Sequence, residues 1–330
     1  MRKIGMVAVL AAALVAPGAV AAGEGTPATG AAAGAGPFGP TTMQRLLLAD
    51  ATRAGNRIVA VGDRGYIVLT DDNGATWRRA RAPATALLTA VTFLDTKSGW
   101  AVGHDSVILA TADGGETWAQ QFSAPSEQRP LLSILFLDAS RGFAVGAYGA
   151  FYETTDGGKS WSARKVLADD KHLNAIANAG GGKLVIVGEG GTVLTSADEG
   201  RTWTLAPPPY KGSFFGAIDA GDGALVAFGL RGTIVRSTDA GRTWKGIDNP
   251  SKATLLGGTV LPDGGLVLAG AAGTVLLSRD HGQAFVPVAS GTTKALAKAV
   301  LGAPNAVLLL GEAGARQAPL PSARASGARP

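Results

Sequence analysis

Three observations predict an all-β fold, a seven-bladed β-propeller of four-stranded antiparallel blades. First, one octapeptide recurs with its aspartate at Asp72, Asp113, Asp156, Asp198, Asp239 and Asp280, at spacings of 41, 43, 42, 41 and 41 residues. A period near 42 is the length of one propeller blade. Second, each copy follows the same strand, hairpin and strand. Third, 48 of 330 residues are glycine, 46% are hydrophobic and only 17% are charged. That composition suits short strands joined by tight turns and excludes disorder over most of the chain.

Residues 1–22 read as a secretory signal peptide. Arg2 and Lys3 form a basic start, Ile4 to Ala16 is apolar, Pro17 and Gly18 break the run, and Val20-Ala21-Ala22 offers small residues for cleavage. The apolar run, about 13 residues, is short of the ~20 that a spanning helix needs. A periplasmic or secreted protein is expected, with no transmembrane segment in its mature chain. The sequence has no cysteine, which excludes a lipid anchor at the cleavage site, a disulfide framework and a thiol nucleophile. Residues 23–36 read as a low-complexity linker, 37–315 as the propeller and 316–330 as a flexible tail. The net charge of +5 resides in the ends: Arg2, Lys3, Arg316, Arg324 and Arg329 share their segments with no acid, and residues 23–315 are neutral. A neutral body lacks the basic stripe that nucleic-acid binding needs.

Within the propeller the unit reads as an A strand, a B strand, a short loop, a C strand, the aspartate turn and a D strand. The A strands are apolar and rich in small residues, as in LLTAVTFLD (87–95) and LLSILFLD (131–138). The B–C hairpins follow one pattern, seen in RIVAVGDRGYIVLT (57–70) and LVIVGEGGTVLTS (184–196). Seven A–B–C sets are present, and the seventh, AVLLLGEAGAR (306–316), has no aspartate turn and no evident D strand. The segment around Pro37 to Thr42 is expected to supply that strand and close the ring, leaving no open sheet edge. Six blades with irregular ends is the alternative.

The turn chemistry explains the octapeptide. The aspartate accepts hydrogen bonds from the turn's own N–H groups, and the glycine two positions on takes a positive φ without a Cβ penalty. Ser or Thr adds a side-chain bond. The terminal Trp77, Trp118, Trp161, Trp203 and Trp244 wedge apolar area between sheets. The sixth copy, SRDHGQAF (278–285), is worn. Each turn offers one or two carboxylates where calcium wants six to eight oxygens, so the role read here is structural.

The pattern S/T-x-D-x-G-x-T/S-W is the Asp-box, or bacterial neuraminidase repeat. Joined to the V-G-x-x-G hairpin, as in VGDRGYIVLTDDNGATW (61–77) and VGEGGTVLTSADEGRTW (187–203), it resembles the photosystem II stability/assembly factor family over residues 45–315. Ser106 in place of the second loop glycine, the worn sixth turn and the missing seventh depart from the pattern. The resemblance implies an exported seven-bladed propeller without catalytic residues, metal or cofactor. It implies a scaffold or assembly factor, acting as a monomer on a protein partner in an integral-membrane or envelope complex. It also implies an arginine-rich patch, with no motif close enough to carry positions across.

The candidate docking surface is the face where B–C loops and D–A connections emerge. The loop tips differ while the strands repeat, which is how a rigid scaffold carries recognition. They offer Asp63 and Arg64, His104 and Asp105, Tyr148, Glu189, Arg231 and Glu312. The D–A connections add Arg78, Arg79 and Arg81, and Tyr210 with Lys211 in PPPYKGSFF (207–215). Arginine forks suit carboxylates or phosphates, and exposed aromatics suit apolar partners.

Other readings carry less. A glycan or small ligand at the channel mouth is one alternative. A sialidase-like hydrolase needs an arginine triad, a Tyr–Glu pair and an acid. Tyr66, Tyr148, Tyr152 and Tyr210 lie in no such arrangement, although Asp63, Asp105, Glu189 and Glu312 are carboxylates that a convergent site would use. His104, His172 and His281 fall in different blades without paired spacing. GEGG (188–191) is followed by neither helix nor lysine.

Overall fold

The B strands are unbroken apolar runs because both their faces are covered. Gly99–Gly103, Gly142–Gly146, Leu184–Gly188 and Leu266–Gly270 are buried at every residue. Each lies second in its sheet, flanked by its own A and C strands and packed on either side by neighbouring blades. The computed structural model describes residues 37–207 and 210–321, so the expected signal peptide and linker lie outside the described residues.

Seven antiparallel sheets follow one another around a ring, which sets aside the six-bladed alternative. Blades 2 to 6 have four strands in the order A-B-C-D, blade 1 has five and blade 7 has three. The apolar core is divided into seven layers, one per blade junction. Val59, Val61 and Leu69 of blade 1 meet Val91, Ala101 and Trp118 of blade 2 in one such layer. Among the described residues, no helix is long and apolar enough to cross a membrane.

Ring closure differs from expectation. Pro37–Phe38 pairs with the D strand of blade 1, Pro37 opposite Arg78 and Phe38 opposite Trp77, and does not complete blade 7. The reason is local. Phe38 packs edge-on against Tyr66 at 6.0 Å, and the short helix Pro40–Met43 buries Met43 in the blade 7–1 layer. Closure comes from packing and from contacts outside the sheets, among them the Gly314 N–H donating to the Leu46 carbonyl at 2.9 Å. Lys298 pairs with Asp50 at 3.1 Å, Arg53 donates to the Leu301 carbonyl at 2.7 Å, and Gln317 donates to the Asn73 carbonyl at 2.7 Å. The expected tail also starts too early. Arg316 to Pro319 belong to the C strand of blade 7 (Gly314–Pro319), where Ala318 fills the blade 6–7 layer. Residues 322–330 lie outside the described residues.

The aspartate turns consume their carboxylates. Asp72 accepts from the Thr76 N–H at 2.9 Å, the Thr76 hydroxyl at 2.5 Å and the Thr70 hydroxyl at 2.7 Å, while Thr70 Oγ1 accepts from the Gly74 N–H at 2.8 Å. Asp113, Asp156, Asp198 and Asp239 repeat this network. At Asp280 the second hydroxyl partner is lost because Ala284 stands in its place, and the Ser278 hydroxyl and the N–H groups of Gln283 and Ala284 remain. The Trp77, Trp118 and Trp244 indoles donate back to Gly74, Gly115 and Gly241 carbonyls. Those of Trp161 and Trp203 are buried without a hydrogen-bond partner.

Candidate functional site

One hydrogen bond, repeated seven times, builds the B–C face. The first residue of each B–C loop donates its N–H to the carbonyl just before its own blade's A strand. Asp63, His104, Ala147, Glu189, Leu230, Ala271 and Glu312 do so at 2.8–3.1 Å. Loops and D–A connections therefore share a face. On the opposite face the A–B turns meet the aspartate turns, as in Gly114 N–H to Lys97 O at 3.0 Å and Gly157 N–H to Ser140 O at 2.8 Å.

The glycine before each loop is needed for close approach, not for its φ. At Gly62, Gly103, Gly146, Gly188, Gly229, Gly270 and Gly311 a Cβ would stand 2.0–2.2 Å from that same carbonyl oxygen. The second loop residue is different, because it takes the left-handed conformation. Arg64, Asp105, Tyr148, Gly190, Arg231 and Ala272 have φ of 53–61° and are exposed. The backbone thus holds the second loop residue of blades 1 to 6 outward at a fixed place on the rim, with a side chain in five of them and a bare glycine in blade 4, and the chemistry varies from tip to tip.

Several expected residues stand there. Arg64 is 82% exposed and 3.8 Å from Asp63. Tyr148, 50% exposed, packs edge-on against His172 at 4.9 Å, and its N–H donates to His172 Nδ1 at 3.2 Å. Glu189 accepts the His172 N–H at 3.1 Å, and Glu312 likewise accepts the Ala295 N–H at 3.3 Å. Each carboxylate is turned onto its own blade. His104 is half-buried, and that burial lowers its pKa from the usual imidazole value. Lys211 and Arg231 are exposed.

Others are elsewhere. Arg78 is the middle residue of the D strand Trp77–Arg79, beside the aspartate turns on the opposite face. It pairs with Glu116 at 2.5 Å and Asp71 at 3.1 Å, and Arg57 joins the same cluster. The Arg57 guanidinium holds the Asp71 carboxyl below its ordinary range. Arg79 lies over the Tyr66 ring at 4.2 Å. Arg81 is exposed but bridges through its backbone to Thr117 of blade 2. The three arginines do not form one patch on the docking face. Tyr210 is half-buried against Phe214, which is itself fully buried, so PPPYKGSFF offers little free aromatic surface.

Sequence reading missed the partners that fix the connections. Ser106, fully buried at φ 50°, donates to the Arg129 carbonyl at 2.8 Å, which explains why a serine replaces glycine there. Tyr152 donates to Glu127 at 2.7 Å, and burial followed by this bond pushes its pKa up to about 12. Both tie down residues 124–130. Among the described residues, no group of three or more His, Cys, Asp or Glu side chains is placed to hold a metal.

Comparisons with known proteins agree with this architecture. No curated protein matches the sequence. A structure of YCF48 bound to D1 peptide is 23% identical, covering 84% of this chain and 95% of that one, with a TM-score of 0.67. YCF48 from Cyanidioschyzon merolae is 19% identical over 84% and 96%, with a TM-score of 0.64. The GH74 xyloglucanase from Xanthomonas campestris is 13% identical, covering 89% of this chain but 55% of the enzyme, with a TM-score of 0.69. At these identities the structures show a shared fold and nothing finer. The family model described as "Photosynthesis system II assembly factor YCF48" matches residues 71–130 and 120–251, more than half of the chain. The chain therefore belongs to the photosynthesis system II assembly factor YCF48 family.

Proposed function

We propose that the protein is a non-catalytic, exported assembly factor that docks a protein of a membrane or envelope complex on its B–C face. The observation that carries this reading is the ring of seven identical loop anchors presenting seven different tips. A rigid ring loses little conformational freedom on binding, so contact energy at the tips is not spent on ordering loops. Arg64 and Arg231 supply guanidinium forks and Tyr148 a half-exposed ring, the residue types that anchor protein interfaces. The D1 peptide named with a related propeller supports a protein partner. Where the cell makes a photosystem, that partner belongs to photosystem II; elsewhere it belongs to another envelope or transport complex.

The test is crosslinking in cells, then affinity purification from the membrane fraction, comparing wild type with the triple variant Arg64→Ala/Tyr148→Ala/Arg231→Ala. A defined integral-membrane protein that the variant loses supports the reading. A protein that stays soluble and unpartnered refutes it, and turnover of glycoside substrates by the purified chain would refute the non-catalytic part.

A further inference from the structure

The aspartate turns are latched to the preceding blade by side chains, and one junction lacks its latch. Gln317 of blade 7 donates to Asn73 O, Arg57 of blade 1 to Gly114 O and Gln121 of blade 2 to Gly157 O. Arg164 of blade 3 reaches the Gly200 and Arg201 carbonyls, and Arg236 of blade 5 reaches His281 O. Arg236 is next to last in its C strand, and Gln121 and Arg164 lie three residues past their tryptophans. Blade 4 has Thr195 and Ala206 at those two positions. Both are too short, and among the described residues no side chain donates to the Ala240 carbonyl. A cleft of about 560 Å³ opens there instead.

The lining of this cleft is selective. Lys183 and Arg242 are exposed on it and have no carboxylate partner among the described residues. Asp239, the lining's carboxylate, is occupied by Ser237 and Thr243. Leu205, 58% exposed, supplies an apolar wall on the short D strand Thr204–Leu205. The outer edge of a D strand in this fold accepts an extended segment, as blade 1 shows with Pro37–Phe38. In blade 4 that edge is unpaired among the described residues.

We propose that the blade 4–5 cleft and the Thr204–Leu205 edge form a docking groove for an extended acidic peptide of a partner protein. The peptide backbone adds to the edge, its carboxylates meet Lys183 and Arg242, and an apolar side chain covers Leu205. A peptide N–H supplies the Ala240 carbonyl with the donor that other junctions find within the chain. The groove lies at the aspartate-turn end of the ring, opposite the B–C face, and is separate from it.

The probe is a fluorescein-labelled heptapeptide of alternating valine and glutamate, followed by anisotropy, with the valine–lysine heptapeptide as control. The groove is expected to bind the glutamate peptide saturably, and Arg242→Glu is expected to weaken binding about tenfold. Thr195→Arg, which installs the latch found at Arg236, is expected to abolish binding while the thermal midpoint stays at or above that of wild type. Arg64→Ala, on the other face, leaves binding intact. Glutamate-peptide binding no tighter than that of the lysine control, or indifferent to both Arg242→Glu and Thr195→Arg, overturns the proposal.

Discussion

Two glycines two residues apart in blade 4 serve different ends, and alanine separates them. At Gly188 φ is −163°, extended backbone that any residue adopts. A Cβ there would stand 2.1 Å from the His172 oxygen and 3.2 Å from its carbon. Ordinary contact requires the carbonyl to retreat by roughly 1 Å, which overpacks the seam at a cost of about 1–3 kcal/mol. The same retreat breaks the 2.9 Å bond from the Glu189 N–H and leaves a backbone group short of its partner, about 1–3 kcal/mol more. Gly188→Ala is therefore expected to cost about 3 kcal/mol or more. Gly190 has φ 61° and nothing within 4 Å of a built Cβ. Gly190→Ala is expected to cost only the left-handed penalty, about 1 kcal/mol. Urea denaturation of the purified variants, followed by tryptophan fluorescence, measures both. A Gly190→Ala cost equal to or larger than that of Gly188→Ala refutes the close-approach argument.

Three further outcomes follow from the geometry. The Thr76 hydroxyl, then the Thr76 N–H, holds the Asp72 carboxyl at about 2, below its unfolded value. Its contribution is therefore complete above about pH 4 and is lost as pH falls toward 2; denaturation midpoints should drop over that window, and less steeply in Asp72→Asn. Arg78→Ala is expected to cost under about 1 kcal/mol, because its pairs are partly exposed and screened by salt, and to leave partner capture unchanged in the same purification. Asp50→Ala strands Lys298 and the Val91 N–H together and should cost about 2 kcal/mol, with faster hydrogen exchange along the inner strands of blades 1, 2 and 7.

The blades were legible because their chemistry is local. An aspartate, a glycine and a tryptophan must sit within eight residues to build each turn, so the period of the turn is the period of the fold. What failed was the chemistry that crosses between blades. Arg78 looks like a free cation until Glu116, 38 residues away, is brought beside it by the next blade. Phe38 carries no mark that says it will pair with Trp77 and not with blade 7. Tyr210 and Phe214 read as surface aromatics because a loop's composition does not reveal which ring turns inward. The loops between the B and C strands lie where the hairpin pattern puts them, and in six of the seven the second residue is left-handed. The latches of the aspartate turns were invisible because their donors come from different strands in different blades.

A photocrosslinking residue placed in living cells at Tyr148, and separately at Val260, tests the docking face most directly. Both side chains are exposed, at opposite ends of the ring. The account predicts one discrete adduct with an integral-membrane protein from position 148 and none from position 260. Adducts of equal yield from both positions, or the same adduct from 260 alone, would contradict it.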